Sequence, residues 1–235
     1  MSSQVWWFAT RSTGIAALVL LTASMVLGIL TSSRYARPNL PRFVTMGLHR
    51  NVSLLVLAFL TMHIVTTVVD SFAPVSWTDA LLPFAGTYRP FWLGLGTVAF
   101  DLLLALIITS LLRERIGYPI WRAVHWAAYA AWPVALMHGL GTGSDTKVRW
   151  AVFVNVGCLV AVMAAVLVRV GWTKTVSGGR RAIAALATVA VAVGVYAWMV
   201  LEPMRPGWAR RSGTPNSLLA ASERAPKHRS GSDGG

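Results

Sequence analysis

Six stretches of about twenty mostly apolar residues divide this chain, near 12–31, 49–70, 92–112, 119–140, 150–170 and 182–201. A helix of about 20 apolar residues spans a hydrocarbon core about 30 Å thick. Inside that core every backbone N–H and C=O must be satisfied by the protein itself, which leaves helices and closed barrels as spanning structures. Unbroken apolar runs of this length select the helix. The expected fold class is therefore all-α, a polytopic membrane protein built as a six-helix transmembrane bundle. The chain is 55% hydrophobic and 12% charged, roughly half the charged fraction of a soluble domain. A net charge of +13 could point to nucleic acid, but the Lys and Arg residues sit between the apolar runs and near the C-terminus, not along one face. Membrane lipid is the expected partner, and no nucleic acid.

Turn-forming residues punctuate the runs, as in Arg37-Pro38-Asn39-Leu40-Pro41, Asp70-Ser71-Phe72-Ala73-Pro74 and Gly141-Thr142-Gly143-Ser144-Asp145. Residues 1–201 are expected to form one transmembrane domain, and 202–235, rich in Ser, Gly, Pro and Arg, a basic disordered tail. Ahead of the first run there is neither a basic start nor a small-residue cleavage site; the first arginine is Arg11, so this run is expected to be a retained anchor. Cys158 is the single cysteine and lies in an apolar run. It allows no internal disulfide, thiolate cluster or C-x-x-C-H haem attachment, and is expected as a small buried hydrophobe.

Orientation follows from the basic residues. The segments between runs 1–2, 3–4 and 5–6 hold eleven: Arg34, Arg37, Arg42, Arg50, Arg113, Arg115, Arg122, Arg169, Lys174, Arg180 and Arg181. The opposite side holds seven near the membrane: Arg11, Arg89, Lys147, Arg149, Arg205, Arg210 and Arg211. A multi-pass cell-membrane protein with both termini outside the cytoplasm is expected, although the basic tail weighs the other way.

Four of the five histidines lie in two of these spans. His49 and His63 are 14 residues apart in the second, and His125 and His138 are 13 apart in the fourth. At about 1.5 Å rise per residue, each span carries histidines roughly 20 Å apart, one per leaflet. Ionisable side chains inside a membrane are costly and mark function. With one span between them, spans two and four run parallel, so His49 shares a level with His125, and His63 with His138. Two facing neutral imidazoles suit the axial positions of a haem iron. Zinc or copper would more often call for a third histidine, a cysteine or a carboxylate nearby. The expected cofactors are two noncovalent b-type haems at stacked sites, with His49, His125, His63 and His138 as metal ligands. The alternative is four polar helix contacts without a cofactor. Fourteen α-helical steps leave His63 about 40° off the face of His49, whereas thirteen leave His138 about 140° off that of His125. Pro133, between the latter two, is expected to kink or unwind the span. His228, in the tail, is expected to be solvated.

In these residues the chain resembles the ferric-reductase-like transmembrane domain family, which includes ferric reductases, the membrane core of NADPH oxidases and the haem subunit of a bacterial methionine sulfoxide reductase system. The resemblance covers about residues 10–172 and rests on His49-Arg50-Asn51-Val52-Ser53 with Met62-His63, and on His125-Trp126, Pro133 and Met137-His138. It implies an inner haem on His49 and His125 and an outer haem on His63 and His138. The oxidases and eukaryotic ferric reductases continue into a large FAD/NADPH domain. Here about 33 residues follow the last span, and no glycine-rich nucleotide fingerprint follows a strand. The implied donor is a separate flavoprotein reductase or a quinol. Some relatives bind flavin at the membrane, which no motif here supports.

Arg50 and Arg122 flank the inner site and are candidate partners of haem propionates, against a reading as ordinary positive-inside charge. Arg34, Arg37, Arg42 and Arg115 crowd the same ends. Arg89, Lys147 and Arg149 are candidates for outer propionates or an anionic acceptor. Asp101 is the acid well inside a span, either a hydrogen-bonded helix contact or part of a proton path. Trp126, Trp132 and Trp150 could line haem faces or serve packing and the interface. Gly47, Gly139 and Gly141 could admit a porphyrin or close helix packing. Together these features point to a dihaem membrane cytochrome, an oxidoreductase component passing electrons outward to ferric iron, oxygen or an extracytoplasmic redox protein. The alternatives are a quinol-oxidising cytochrome-b-like subunit, or a cofactor-free scaffold or transporter.

Overall fold

A computed structural model of the chain describes residues 3–32, 41–71, 73–143, 148–172 and 177–224. Arg34, Arg37, Lys147, Lys174 and His228 lie outside these residues, as does the side chain of Arg42. Among the described residues the structure is helical throughout, with no strand.

Five helices are long and apolar enough to cross a membrane: α1 (Ser3–Ser32), α2 (Arg42–Val69), α4 (Pro90–Leu111), α8 (Arg149–Trp172) and α9 (Gly178–Leu201). They answer five of the six expected spans. The remaining one, the fourth, is divided into α6 (Tyr118–His125) and α7 (Ala128–Thr142). Across the junction, Ala127, Tyr129 and Ala130 donate to carbonyls three residues back, those of Val124, Trp126 and Ala127. These are 3₁₀ bonds. Pro133 has no N–H for the carbonyl of Tyr129 and crowds it sterically, and the tightened turn lies just ahead of that point. The expected distortion is therefore present, several residues N-terminal to Pro133 itself. A 3₁₀ step turns about 20° further than an α step, so the turn brings His138 back toward the face of His125.

The core lies where α1, α7 and α8 meet. Ile29, Trp132, Leu136, Leu140, Leu159 and Val162 are buried there together with Cys158. Burial of Cys158 agrees with its expected role as a small hydrophobe. Helix α2 packs on α1, α4 on α6 and α7, and α9 on α8. Apolar side chains on the outer faces, such as Leu54, Phe153, Ile183 and Leu186, are exposed, as lipid-facing positions require. Asp101 is also exposed, midway along α4.

The connection from α2 to α4 contains α3 (Trp77–Leu81), started by a capping box between Ser76 and Asp79 and tied to α4 by Thr97 Oγ1 donating to Asp79 O. A four-residue helix, α5 (Arg113–Ile116), precedes α6. The expected disordered tail needs correction over residues 202–224. These carry α10 (Trp208–Arg211) and α11 (Asn216–Arg224), with Pro203, Trp208 and Ser212 buried. The composition looked disordered because polar residues outnumber apolar ones, but one tryptophan supplies the anchor. Its indole rests against Trp92 and Trp198, and Nε1 donates to Gly141 O at 3.2 Å.

Candidate paired-histidine sites

The four intramembrane histidines meet in the expected pairs. His49 faces His125 with ring centres 6.4 Å apart and planes at 86°. His63 faces His138 at 6.3 Å and 77°. The backbone of α2 is not closely packed on α6 or α7, so the rings meet across a gap between helices. An imidazole nitrogen binds a metal at about 2.0–2.1 Å, and its ring centre lies about 1.1 Å behind it, so two imidazoles in line through one metal have centres about 6 Å apart. Both pairs stand at that separation.

Three of the rings are aimed from behind. His49 Nδ1 bonds Ser24 O at 3.0 Å, His63 Nδ1 bonds Thr10 O at 2.9 Å, and His138 Nδ1 bonds Trp92 O at 2.8 Å. A carbonyl only accepts, so Nδ1 carries the proton and Nε2 keeps its lone pair for a ligand. This carbonyl support is the usual arrangement behind a metal-binding histidine. Ser24 Oγ lies 3.3 Å from His49 Nδ1 and 2.8 Å from Ser53 Oγ, which fixes that ring further.

Glycine lies one turn beyond each accepting carbonyl: Gly14 after Thr10, Gly28 after Ser24, Gly96 after Trp92. A Cβ at Gly14 would stand 2.9 Å from His63 Cε1, and at Gly28 3.2 Å from His49 Cε1; at Gly96 it would overlap the His138 ring outright. A side chain at these positions would cover the second lone pair of the carbonyl. Glycine leaves it open to the imidazole. The porphyrin-facing glycines read from the sequence lie elsewhere. Gly141 is filled by the Trp92 indole, whereas Gly47 and Gly139 face open space.

His125 differs. Its Nδ1 is buried and has no hydrogen-bond partner, although an unsatisfied buried polar group costs about 1–3 kcal/mol. Its ring stacks on Trp121 at 4.8 Å and 24°. Trp121 Nε1 donates to Ser110 Oγ at 3.2 Å, and the Arg113 guanidinium lies over the indole, 4.7 Å from its centre.

Arg50 follows His49 directly, Arg122 precedes His125 by one turn, and both side chains are exposed. Arg149 is exposed as well. Arg89 is not free for an outer anion. It is 4% exposed, and its guanidinium donates to Gly141 O, Thr142 O and Thr214 Oγ1, each at 3.0 Å. Its own N–H bonds Gly213 O from a left-handed backbone, φ 43°. Burial pulls its pKa below the ordinary value, opposed by Tyr88. Arg89 therefore ties the C-terminal segment to the end of the His138 helix. Of the tryptophans, Trp132 is buried, with Nε1 donating to Thr22 Oγ1 at 3.0 Å. Trp126 and Trp150 are half exposed.

Sequence reading missed Thr10, Ser24, Trp92 and the three glycines. One signal was available: Gly14 and Gly28 repeat the 14-residue spacing of His49 and His63.

Among the described residues no three His, Cys, Asp or Glu side chains converge as a metal-binding group. Two-histidine sites fit a metal that brings its own remaining ligands, as a porphyrin does. The family model of a ferric reductase-like transmembrane component matches residues 13–136, and domains of that family generally bind haem. The matched stretch includes His49, His63 and His125 and ends two residues before His138. Neither curated proteins nor solved structures give a match. With more than half of its length matched, from α1 into the helix of the second histidine pair, the chain belongs to the family of ferric reductase-like transmembrane components.

Proposed function

We propose that this membrane electron-transfer component is a dihaem b-type cytochrome. In this reading His49 and His125 hold one haem, His63 and His138 the other, and single electrons cross from a cytoplasmic-side donor to an extracytoplasmic acceptor. The observation that carries the reading is the pair of ring separations, 6.4 and 6.3 Å, together with Nδ1 protons committed to carbonyls behind three of the rings.

Bound haem supplies one-electron iron chemistry. The chain supplies ligation, spacing and dryness. Fourteen residues of α2 hold its two imidazoles roughly 21 Å apart along the helix. Between the levels, Trp132 and Leu136 close the interior, each no more than 2% exposed. Exposed Arg50 and Arg122 are placed to pair with propionates at the His49–His125 level. The preponderance of basic residues on that side supports a cytoplasmic location, with both termini outside. The donor is then a separate flavoprotein reductase or a quinol, and the acceptor ferric iron, oxygen or a redox protein.

The test is a pyridine haemochrome assay on protein purified in detergent from haem-replete cells. About two haems b per chain are expected, with His63→Ala and His138→Ala both removing the same one. Protein that folds but carries no haem would overturn the reading.

A further inference from the structure

We infer that His125 is the releasable ligand of its pair, and that the His49–His125 level is a binding site for small neutral diatomic ligands, such as carbon monoxide, in the reduced protein. This rests on the haem reading above. A carbonyl behind a ligating imidazole draws its proton away, makes the ring more basic and fixes its orientation; losing such support typically weakens metal affinity roughly 10–100-fold. His49, His63 and His138 have that support. His125 has none, and its Nδ1 is buried without a partner.

A second observation acts in the same direction. His125 stacks on Trp121, and Arg113 lies over that indole. A guanidinium attracted to the indole electrons places positive charge beside the stack, which disfavours electron donation by the imidazole. Mobility is local too. His125 is the last residue of α6, immediately before the 3₁₀ turn into α7. Release of its ring would be a side-chain movement at a helix end. The His63–His138 level has carbonyl support on both sides, so it is expected to stay closed. With one weak ligand, the site would admit π-accepting diatomics to bound ferrous iron in that ligand's place.

The experiment uses full-length, haem-loaded protein in detergent, reduced with dithionite and mixed with carbon monoxide while the Soret band is followed. Uptake by about half of the total haem is expected. His125→Ala should retain both haems and take up the gas at the same half, at least roughly tenfold faster. His49→Ala, left with the unsupported ligand alone, should lose that haem. Arg113→Gln keeps every ligand and should slow uptake roughly twofold to fivefold, which covers the case in which His125→Ala fails to fold. Two haems that both refuse carbon monoxide would overturn the inference while leaving the dihaem reading intact. So would equal haem loss in His49→Ala and His125→Ala, or an unchanged rate in both His125→Ala and Arg113→Gln. Wild-type protein without haem would overturn the proposed function instead.

Discussion

A single methyl group placed on Gly96 tests how the imidazoles are held. Its Cβ would overlap the His138 ring at Cε1 and Nδ1, so either the ring turns or α4 moves away. Both break the 2.8 Å bond from Nδ1 to Trp92 O. A net hydrogen bond contributes about 1 kcal/mol, and a buried donor left without a partner costs about 1–3 kcal/mol. Alanine offsets about 1 kcal/mol of this through its better helix propensity. The balance is a stability loss of about 1–3 kcal/mol. Ligation suffers more, since a ring deprived of its rear partner binds metal roughly 10–100-fold more weakly. The same substitution is milder at Gly14, where the closest ring atom is at 2.9 Å, and milder again at Gly28, at 3.2 Å. Haem loss should therefore fall in the order Gly96→Ala, Gly14→Ala, Gly28→Ala. Gly157 has nothing within 4 Å of its would-be Cβ, and Gly157→Ala should keep both haems. The assay is haem per chain by pyridine haemochrome, with circular dichroism confirming that each variant is folded. Two haems and an unshifted Soret band in Gly96→Ala would refute the reasoning, as would a Gly28→Ala variant more damaged than Gly96→Ala.

The C-terminal segment offers two further tests. Trp208→Ala removes a buried indole packed on Trp92 and donating to Gly141 O. It should cost about 3–5 kcal/mol of local packing and speed limited proteolysis between residues 202 and 216; unchanged cleavage would count against the docked segment. Arg89→Lys replaces a planar donor set serving three oxygens with one point charge, so it should not rescue the fork. A loss of at least about 1.5–3 kcal/mol is expected, read as a lower thermal midpoint by tryptophan fluorescence, and a wild-type midpoint would refute it.

The apolar runs and the paired histidines were legible because bilayer thickness and the cost of buried imidazole act through composition and spacing alone. Five spans and the pairing of the four span histidines follow from them. The division of the fourth span was anticipated through Pro133, but the turn lies at Trp126–Ala127, because proline disturbs the carbonyls of the turn before it. The supports behind the rings were not legible as residue types. Thr10, Ser24 and Trp92 act through backbone carbonyls, which every residue has. Arg89 was read as a free cation because sequence does not show that three oxygens from distant segments converge on it. The tail was read as disordered because its average polarity hides one anchoring tryptophan.

The unequal treatment of the four histidines has a geometric origin. Thr10 and Ser24, Gly14 and Gly28, and His49 and His63 are all 14 residues apart. Fourteen residues are two heptads, the repeat at which a left-handed pair of helices keeps one seam facing its partner. Helices α1 and α2 present the same carbonyl, glycine and imidazole arrangement at both levels. The opposite wall has no such match. Thirteen residues bring His125 and His138 to one side only at about 3.25 residues per turn, between the α value of 3.6 and the 3₁₀ value of 3.0, and the 3₁₀ turn supplies part of that overwinding. Helix α4 is unbroken and keeps its own period. One 14-residue step from Trp92 and Gly96 it offers Leu106 and Ser110. Ser110 is a side-chain acceptor for Trp121, not a gap that bares a carbonyl. An overwound helix beside a regular one can share a cradle at one level but not at two. Of the two, His138 has it and His125 goes without.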